Sequence, residues 1–353
     1  MPHTEALCRR WCNPTKGCTI FLSRAATACS KETLIQSPRM DGKDPSSSAG
    51  GLIQSFHNTK GGQNQRQKRK KTAVMILTCA IGLTALILWI VWGNTALELN
   101  TYTIASERIP SSFDGYRIAH ISDLHNAEMG DGNETLLSAL KNAKPDLIAV
   151  TGDLIDSRHT DVETALRFAE EAVKIAPCCY VPGNHEARLS DYEALKKKLE
   201  EAGVVILEDT SVVLEREHQT ISLMGLADPD FTMKGDLFGE VPAMISKKIT
   251  KMRENSGDDY TILLSHRPEL FEAYAECRVD FVLSGHAHGG QFRLPFVGGL
   301  IAPGQGLFPK YDAGLFTKEN TTMIVSRGIG NSIFPFRFNN RPELVLIELQ
   351  AVQ

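Results

Sequence analysis

From residue 115 onward, short apolar runs alternate with stretches whose apolar residues recur every three or four positions. The short runs are typical of buried strands, and the stretches between them have the period of amphipathic helices. The pattern predicts strands at 116–121, 147–150, 178–181, 220–224, 260–264, 279–283, 322–326 and 343–349. It predicts helices near 134–142, 161–174, 191–202, 242–253 and 268–275. This alternation indicates an α/β domain over residues 115–353.

The first 92 residues divide into a polar part and an apolar part. Residues 1–72 show no sustained apolar period and contain many Pro, Gly, Ser, Gln and Lys residues, so we predict that they are disordered. Residues 73–92 are uncharged and mostly apolar, and this length lets an α-helix cross ~30 Å of hydrocarbon. Trp89 and Trp92 at its end suit a membrane interface. We therefore predict a transmembrane helix at 73–92 and a linker at 93–114.

The charges that flank the apolar run predict its orientation. Arg66 and the basic residues 68–71 precede the run, whereas the first charge after it is Glu98. The positive-inside rule then places the N-terminus in the cytoplasm and the α/β domain outside a cell membrane that is crossed once. A cleaved signal peptide is less consistent, because the run is too long and Asn94-Thr95-Ala96 is a poor cleavage site.

Composition limits the partners of the chain. Apolar residues make up 42% and charged residues 23% of the sequence, which allows a substantial core. The formal net charge of -4 gives no cationic field for nucleic acid, so we expect no nucleic-acid partner. The early cysteines match no zinc spacing, and Cys178 and Cys179 lie in a predicted buried strand. We therefore expect no disulfide framework.

Several predicted strands are followed at once by side chains that bind metals. The clusters are Asp123-Leu124-His125, Gly152-Asp153-Leu154-Ile155-Asp156, Gly183-Asn184-His185-Glu186, Ser265-His266 and Gly285-His286-Ala287-His288. The carboxyl ends of strands meet at one edge of an α/β sheet, so we expect the clusters to lie together. Imidazole, carboxylate and amide ligands suit cations such as Mn, Zn or Fe.

These blocks resemble the calcineurin-like metallophosphoesterases, whose pattern is DxH, GDxxD, GNH(D/E), a separate His and GHxH. All five blocks occur in order, and the resemblance spans about residues 115–349. It implies a four-layer αββα sandwich of two mixed β-sheets. The chain is most similar to a bacterial, membrane-anchored, phosphodiesterase-like branch through Gly289-Gly290-Gln291, Ala302-Pro303-Gly304-Gln305-Gly306, Ser326-Arg327-Gly328 and Asn339-Asn340-Arg341-Pro342-Glu343. Ser157 follows Asp156 where protein phosphatases have arginine, which argues against protein dephosphorylation.

The resemblance implies two divalent metal ions, Mn, Zn or Fe, that share a water or hydroxide for attack on a phosphomonoester or phosphodiester. One ion would be held by Asp123, His125, Asp153 and His288, and the other by Asp153, Asn184, His266 and His286, with Asp153 as the bridge. His185 would protonate the leaving oxygen. Asp156 would accept a hydrogen bond from a ligand imidazole. Candidate contacts to the substrate phosphate or head group are Arg327, Arg337 and Asn340, although salt-bridged surface arginines are an alternative.

The membrane helix favours substrates in a membrane or cell wall, with lipid-linked phosphates as natural candidates. One alternative is an enzyme of lipid A synthesis that resembles UDP-2,3-diacylglucosamine pyrophosphatase, but that chemistry is cytoplasmic and conflicts with the predicted orientation. Another is a non-catalytic, metal-stabilised membrane scaffold. A scaffold would predict a gap in the ligand set, and the sequence contains none.

Overall fold

The structure is a computed structural model that describes residues 53–352, except 234–238, 255–256 and 332–333. Residues 1–52 of the segment predicted to be disordered lie outside this range. Residues 53–72, the rest of that segment, belong to helix α1 (Ile53–Thr95). Once an apolar helix has formed, extending it by further turns avoids the cost of nucleation.

Within α1, residues Asn64–Thr95 form a helix long and apolar enough to cross a membrane. The predicted span at 73–92 lies inside this segment. Its large apolar side chains, such as Leu77, Ile81 and Leu88, are exposed. An exposed apolar surface of this kind is costly in water and stable in hydrocarbon.

The strands follow in chain order: β1 (Glu98–Ser106), β2 (Arg117–Ile121), β3 (Leu147–Thr151), β4 (Cys178–Val181), β5 (Val205–Ile206), β6 (Thr210–Arg216), β7 (Gln219–Gly225), β8 (Tyr260–Leu264), β9 (Phe281–Ser284), β10 (Arg293–Leu294), β11 (Gly298–Gly299), β12 (Ile301–Ala302), β13 (Gly306–Leu307), β14 (Gly314–Lys318), β15 (Thr321–Val325) and β16 (Glu343–Ala351). The remaining helices are α2 (Glu134–Ala143), α3 (Val162–Ala172), α4 (Asn184–Ala187), α5 (Tyr192–Glu201), α6 (Val241–Arg253) and α7 (Phe271–Glu276).

The strands form two mixed six-stranded sheets and two short hairpins. The first sheet has the order β1-β16-β2-β3-β4-β5, and the second has the order β14-β15-β9-β8-β7-β6. Strands β2 to β5 are parallel, and so are β7, β8, β9 and β15. The short pairs β10–β11 and β12–β13 follow the second sheet's central strand β9.

Successive side chains along a strand point to opposite faces of each sheet, and both faces are buried, as strand β3 illustrates. Leu147 and Ala149 pack toward the second sheet, against residues such as Ile262 and Leu283. Ile148 and Val150 point the other way, into a cluster formed with helices α2, α3 and α5. Helices α6 and α7 cover the outer face of the second sheet in the same manner. The molecule therefore has the four-layer αββα architecture.

Strand β1 corrects the predicted linker at 93–114. It pairs in parallel with β16 along its whole length, and of its side chains only Ile104 is buried. An edge strand of this kind depends on hydrogen bonds to a partner at the other end of the chain. Its own hydrophobic pattern does not reveal it. The pattern likewise does not predict β5, β6 or β10 to β14.

The described thiols of Cys178 and Cys179 are buried and free, as the packing interpretation requires.

Candidate metal centre

The predicted ligands lie at the carboxyl ends of five central strands. Asp123 and His125 follow β2, Asp153 follows β3, and Asn184 follows β4, all in the first sheet. In the second sheet, His266 follows β8, and His286 and His288 follow β9. The sandwich brings these two sheet edges together, and all seven side chains are buried. The convergence expected from the sequence is therefore observed.

One group consists of Asp123, His125 and His288, whose ligand atoms lie within 4.8 Å of one another. The Nε2 atoms of the two imidazoles are 3.2 Å apart. His288 Nε2 also lies 3.2 Å from Asp123 Oδ1. Three donors therefore face one small volume.

A second group consists of Asp153, His266 and His286. His266 Nε2 lies 3.2 Å from Asp153 Oδ2 and 3.1 Å from His286 Nδ1. The side-chain amide of Asn184 approaches the same His266 nitrogen to 3.2 Å. This group thus gathers a carboxylate, two imidazoles and an amide.

Asp153 connects the two groups through a single oxygen. Its Oδ2 lies 3.4 Å from His125 Nε2 in the first group and 3.2 Å from His266 Nε2 in the second. Its other oxygen, Oδ1, accepts a hydrogen bond of 2.8 Å from the backbone N–H of His185. One carboxylate oxygen is therefore positioned between both groups while the other is fixed by the protein.

These donors fit divalent cations. Asp123 Oδ1 is buried and accepts no hydrogen bond from any described residue. Ring nitrogens that face each other at about 3 Å, as His125 and His288 do, are stabilised by a cation or proton between them. The mixture of imidazole, carboxylate and amide suits first-row transition metals.

The two carboxylates are charged at neutral pH. Burial alone would raise the pKa of Asp123, but the neighbouring imidazoles, His288 first, outweigh it and hold this pKa well below its usual value. Burial also opposes ionisation of Asp153, and His266 reverses the effect, so its pKa is lowered. Metal ligands must be deprotonated, so both groups are in the required state.

Several predicted ligands have a left-handed backbone. The φ angles of Asp123, His125, Asp153, His286 and His288 are 52°, 46°, 53°, 63° and 48°. Such angles cost about 1–3 kcal/mol for a residue other than glycine and persist only where the surroundings enforce them. The surroundings are tight here, because a Cβ atom at Gly285 would lie 1.7 Å from Ser122 Oγ. Concentrated strain of this kind is typical of functional sites.

His185 lies beside the first group, and with His125 and Asp156 it forms a third group of possible ligand atoms, although it is not one of the predicted ligands. Its ring centroid is 4.5 Å from that of His125. Its Nδ1 accepts a hydrogen bond of 3.0 Å from the backbone N–H of Ser157, so the proton of the neutral ring is on Nε2. Burial is the main cause that lowers the pKa of His185 to about 4. The ring is therefore neutral at pH 7 with one N–H to donate.

Asp156 lies beside His185 and Arg158. Its carboxylate lies 3.4 Å from His185 Nδ1 and forms a salt bridge with Arg158 at 2.6 Å. That it accepts a hydrogen bond from a ligand imidazole stays a prediction. Arg158 donates hydrogen bonds to this carboxylate, which also faces the candidate catalytic histidine His185.

The three candidate substrate contacts are engaged within the protein. Arg327 forms salt bridges with Glu98 at 3.0 Å and Glu343 at 3.3 Å. Arg337 is buried and donates to the carbonyl oxygen of Arg327 at 2.7 Å. Asn340 donates to the carbonyl oxygen of His288 at 2.7 Å. All three side chains therefore have partners within the protein, and their role as substrate contacts stays a prediction.

Glu186 has a role that the sequence did not specify. It is fully buried, and its carboxylate accepts from the backbone N–H groups of Asp153 at 2.9 Å, Gly183 at 2.8 Å and Ile155 at 3.3 Å. It therefore joins the loop after β3 to the loop after β4. In the sequence it was marked only as the acidic residue of the GNH(D/E) block.

Arg267 is a second residue near the centre that sequence reasoning missed. It is held by Asp228 through two hydrogen bonds of 2.6 and 2.9 Å. Its remaining terminal nitrogen lies 3.3 Å from His286 Nε2. Its position directly after the ligand His266 could have drawn attention to it. A guanidinium fixed this close to the centre can add positive charge for phosphate oxygens.

Comparisons with known proteins agree with this geometry. Residues 116–290 match the family model described as calcineurin-like phosphoesterase. The chain is 30% identical to "Uncharacterized metallophosphoesterase YkuE" of Bacillus subtilis over 72% of this chain and 86% of that protein. It is 28% identical to "Phosphodiesterase YaeI" of Escherichia coli, over 66% and 82% of the two chains. "Transmembrane protein with metallophosphoesterase domain" of Danio rerio is 28% identical over 70% of this chain and 56% of that protein.

Proposed function

The chain belongs to the calcineurin-like phosphoesterase family and is a hydrolase of phosphoric esters, and from this premise we propose that it works with two divalent cations, Mn, Zn or Fe. The proposed ligands of one cation are Asp123, His125, Asp153 and His288, and those of the other are Asp153, Asn184, His266 and His286. The observation that carries the proposal is the position of Asp153 Oδ2, within 3.4 Å of an imidazole from each group.

When bound, a pair of divalent cations supplies a water of lowered pKa and stabilises charge on the phosphoryl oxygens. The chain's own residues then orient the reaction. Glu186 keeps the loops of Asp153 and Asn184 at a fixed separation through its three hydrogen bonds. His185, with its proton held on Nε2 by Ser157, donates toward the leaving oxygen of the ester. Arg267 adds a fixed positive charge next to His286.

We propose a membrane-anchored arrangement in which α1 crosses the bilayer and the domain from about residue 115 carries the chemistry. The apolar segment Asn64–Thr95 supports the anchor. The basic residues before it favour a catalytic domain outside the cytoplasm. The proposed substrates are phosphomonoesters or phosphodiesters of the membrane or cell wall, since an anchored enzyme meets these first.

The test measures metal content and turnover on the purified full chain in detergent. We expect about two divalent cations per chain, hydrolysis of an aryl phosphodiester or monoester, loss of turnover with a chelator, and recovery with Mn²⁺. A scaffold would bind the cations and hydrolyse neither substrate. Turnover that a chelator leaves unchanged would refute the metal-dependent mechanism.

A further inference from the structure

The surface next to the metal centre carries a concentration of exposed apolar side chains. They lie on the β10–β11 hairpin, on the end of the β12–β13 hairpin and on the segment that precedes β16. We call them the apolar rim, and its members are Leu294, Phe296, Val297, Leu307, Phe308, Phe334 and Phe336. Phe296 is fully exposed, and Leu307 and Phe308 are 71% and 66% exposed. Among the described residues, Phe231 is the other exposed phenylalanine. Patches of this kind mark sites of contact with a membrane or a partner.

The rim continues directly from the end of the apolar helix. Phe338 packs its ring edge-on against Trp89 of α1 at 5.1 Å. Phe338 also forms a β-bridge with Phe292, and the ring of Phe292 contacts those of Phe334 and Phe336 at 5.1 and 5.5 Å. Ring contacts at both ends and one backbone β-bridge between them therefore join the helix to the rim.

Polar contacts fix this junction. Asn94, near the end of α1, donates to the carbonyl oxygen of Arg337 at 2.9 Å and accepts from its backbone N–H at 2.7 Å. Arg341 stacks over the ring of Trp92 at 4.9 Å and donates to the carbonyl oxygens of Ala96 and Leu97. The segment before β16 is thus attached to the last turns of the helix.

The position of the Trp89–Phe338 contact along the apolar span indicates what the apolar rim contacts. Trp89 lies inside the uncharged run 73–92, so the ring of Phe338 lies at the level of the apolar span. Arg341 lies over Trp92, one helical turn beyond Trp89, where the apolar run ends and the chain becomes polar. Aromatic rings at this level, followed by arginine, are typical of the interfacial layer of a bilayer.

We propose that the apolar rim is a second membrane contact, which lies in the interfacial layer of the same bilayer that α1 crosses. A single helix leaves the attached domain free to tilt, whereas a second contact fixes one face toward the lipid. A cavity of about 240 Å³ lies behind the rim, lined by Phe334, Ile301, Ala302, Pro303 and the candidate ligand His288. The rim therefore holds the metal centre close to the membrane surface. This inference rests on the anchor and not on turnover.

The experiment is site-specific photocrosslinking of the full chain in vesicles of phosphatidylcholine and phosphatidylglycerol that contain an alkyne-labelled phosphatidylcholine. The crosslinker p-benzoyl-phenylalanine replaces Phe296 or Phe308, which preserves an aromatic ring at each position. The matched control replaces His218, which is also exposed. His218 lies in the turn between β6 and β7, just before the amino end of β7. Because β7 is parallel to β8 and β9, this turn is at the end of the sheet away from the metal centre.

We expect roughly tenfold more lipid adduct at positions 296 and 308 than at 218. Equal yields at all three positions would overturn the proposal. Crosslinks from position 296 to a second copy of the chain in place of lipid would overturn it in favour of self-association. A crosslinker at Leu88 within the span should also label lipid. Absence of lipid adducts at Leu88 would show that α1 does not cross the bilayer. Because the apolar rim depends on this anchor, that result would also overturn the proposal.

Discussion

Among single residues, Asp153 has the largest predicted effect on the centre. Asp153→Asn replaces a charged carboxylate by a neutral amide at the oxygen that approaches both groups. We expect loss of both cations and a fall in turnover of about 10³-fold or more. Metal analysis and steady-state kinetics measure the two effects.

Asp123→Asn is the matched comparison for Asp153. Asp123 contacts His288 and His125 of the first group through Oδ1. We therefore expect this variant to lose one cation preferentially. If Asp153→Asn retained both cations and near-normal turnover, the assignment of the bridge would be wrong.

His185 tests the proposed proton donor. His185→Ala removes the ring whose Nε2–H is fixed by Ser157 but removes none of the proposed ligands. We expect turnover to fall by about 10²- to 10⁴-fold while both cations remain bound. The loss should be larger for alkyl esters than for nitrophenyl esters, since good leaving groups need little help from a proton donor.

Comparison of the two ester types decides between roles for this histidine. An equal loss on both esters would indicate that His185 orients the phosphate and does not assist departure of the leaving group. Loss of a cation from His185→Ala would indicate a ligand or a structural role.

At the scale of elements, the loops after β3 and β4 depend on Glu186. In the wild type, the Glu186 carboxylate accepts hydrogen bonds from three backbone N–H groups. Glu186→Gln keeps one oxygen but places an NH₂ group, which cannot accept, against these donors. We expect a lower melting temperature and metal affinity reduced by about 10- to 100-fold. Thermal unfolding and metal titration of the same preparation give both values.

Glu170→Gln is the control for this change, because Glu170 is an exposed residue of α3. It should leave melting temperature and metal affinity unchanged. Wild-type affinity in Glu186→Gln would show that the two loops hold their positions without this carboxylate.

At the scale of the whole molecule, the orientation of α1 determines which substrates the centre can meet. Basic residues precede the apolar segment, and no comparable cluster follows it in the sequence. We therefore expect the domain to be outside the cytoplasm, so that protease added to spheroplasts digests it. Protection until the membrane is broken would reverse the orientation and favour the alternative role in lipid A synthesis.

The sequence by itself determined the elements with a local signal. Buried parallel strands such as Leu147–Thr151 are continuous apolar runs, and the apolar part of α1 has the length of a bilayer, so both can be read without knowledge of the fold. The five metal-binding blocks are likewise local, because each is the end of one strand and the loop that follows. The family resemblance and its fold followed from their order.

The tertiary structure alone decided which groups meet across the chain. The edge strand β1 exists because β16 offers it backbone partners, and the bonds of Arg337 and Asn340 around His288 come from loops far apart in sequence. The sequence alone left open whether Arg327 and Arg337 contact substrate or pair within the protein, because the residue type does not show whether an arginine is buried or exposed. The three backbone partners of Glu186 and the contacts that join Trp89 to the apolar rim are also long-range contacts. Such contacts depend on packing, and packing is a property of the folded chain and not of any local stretch.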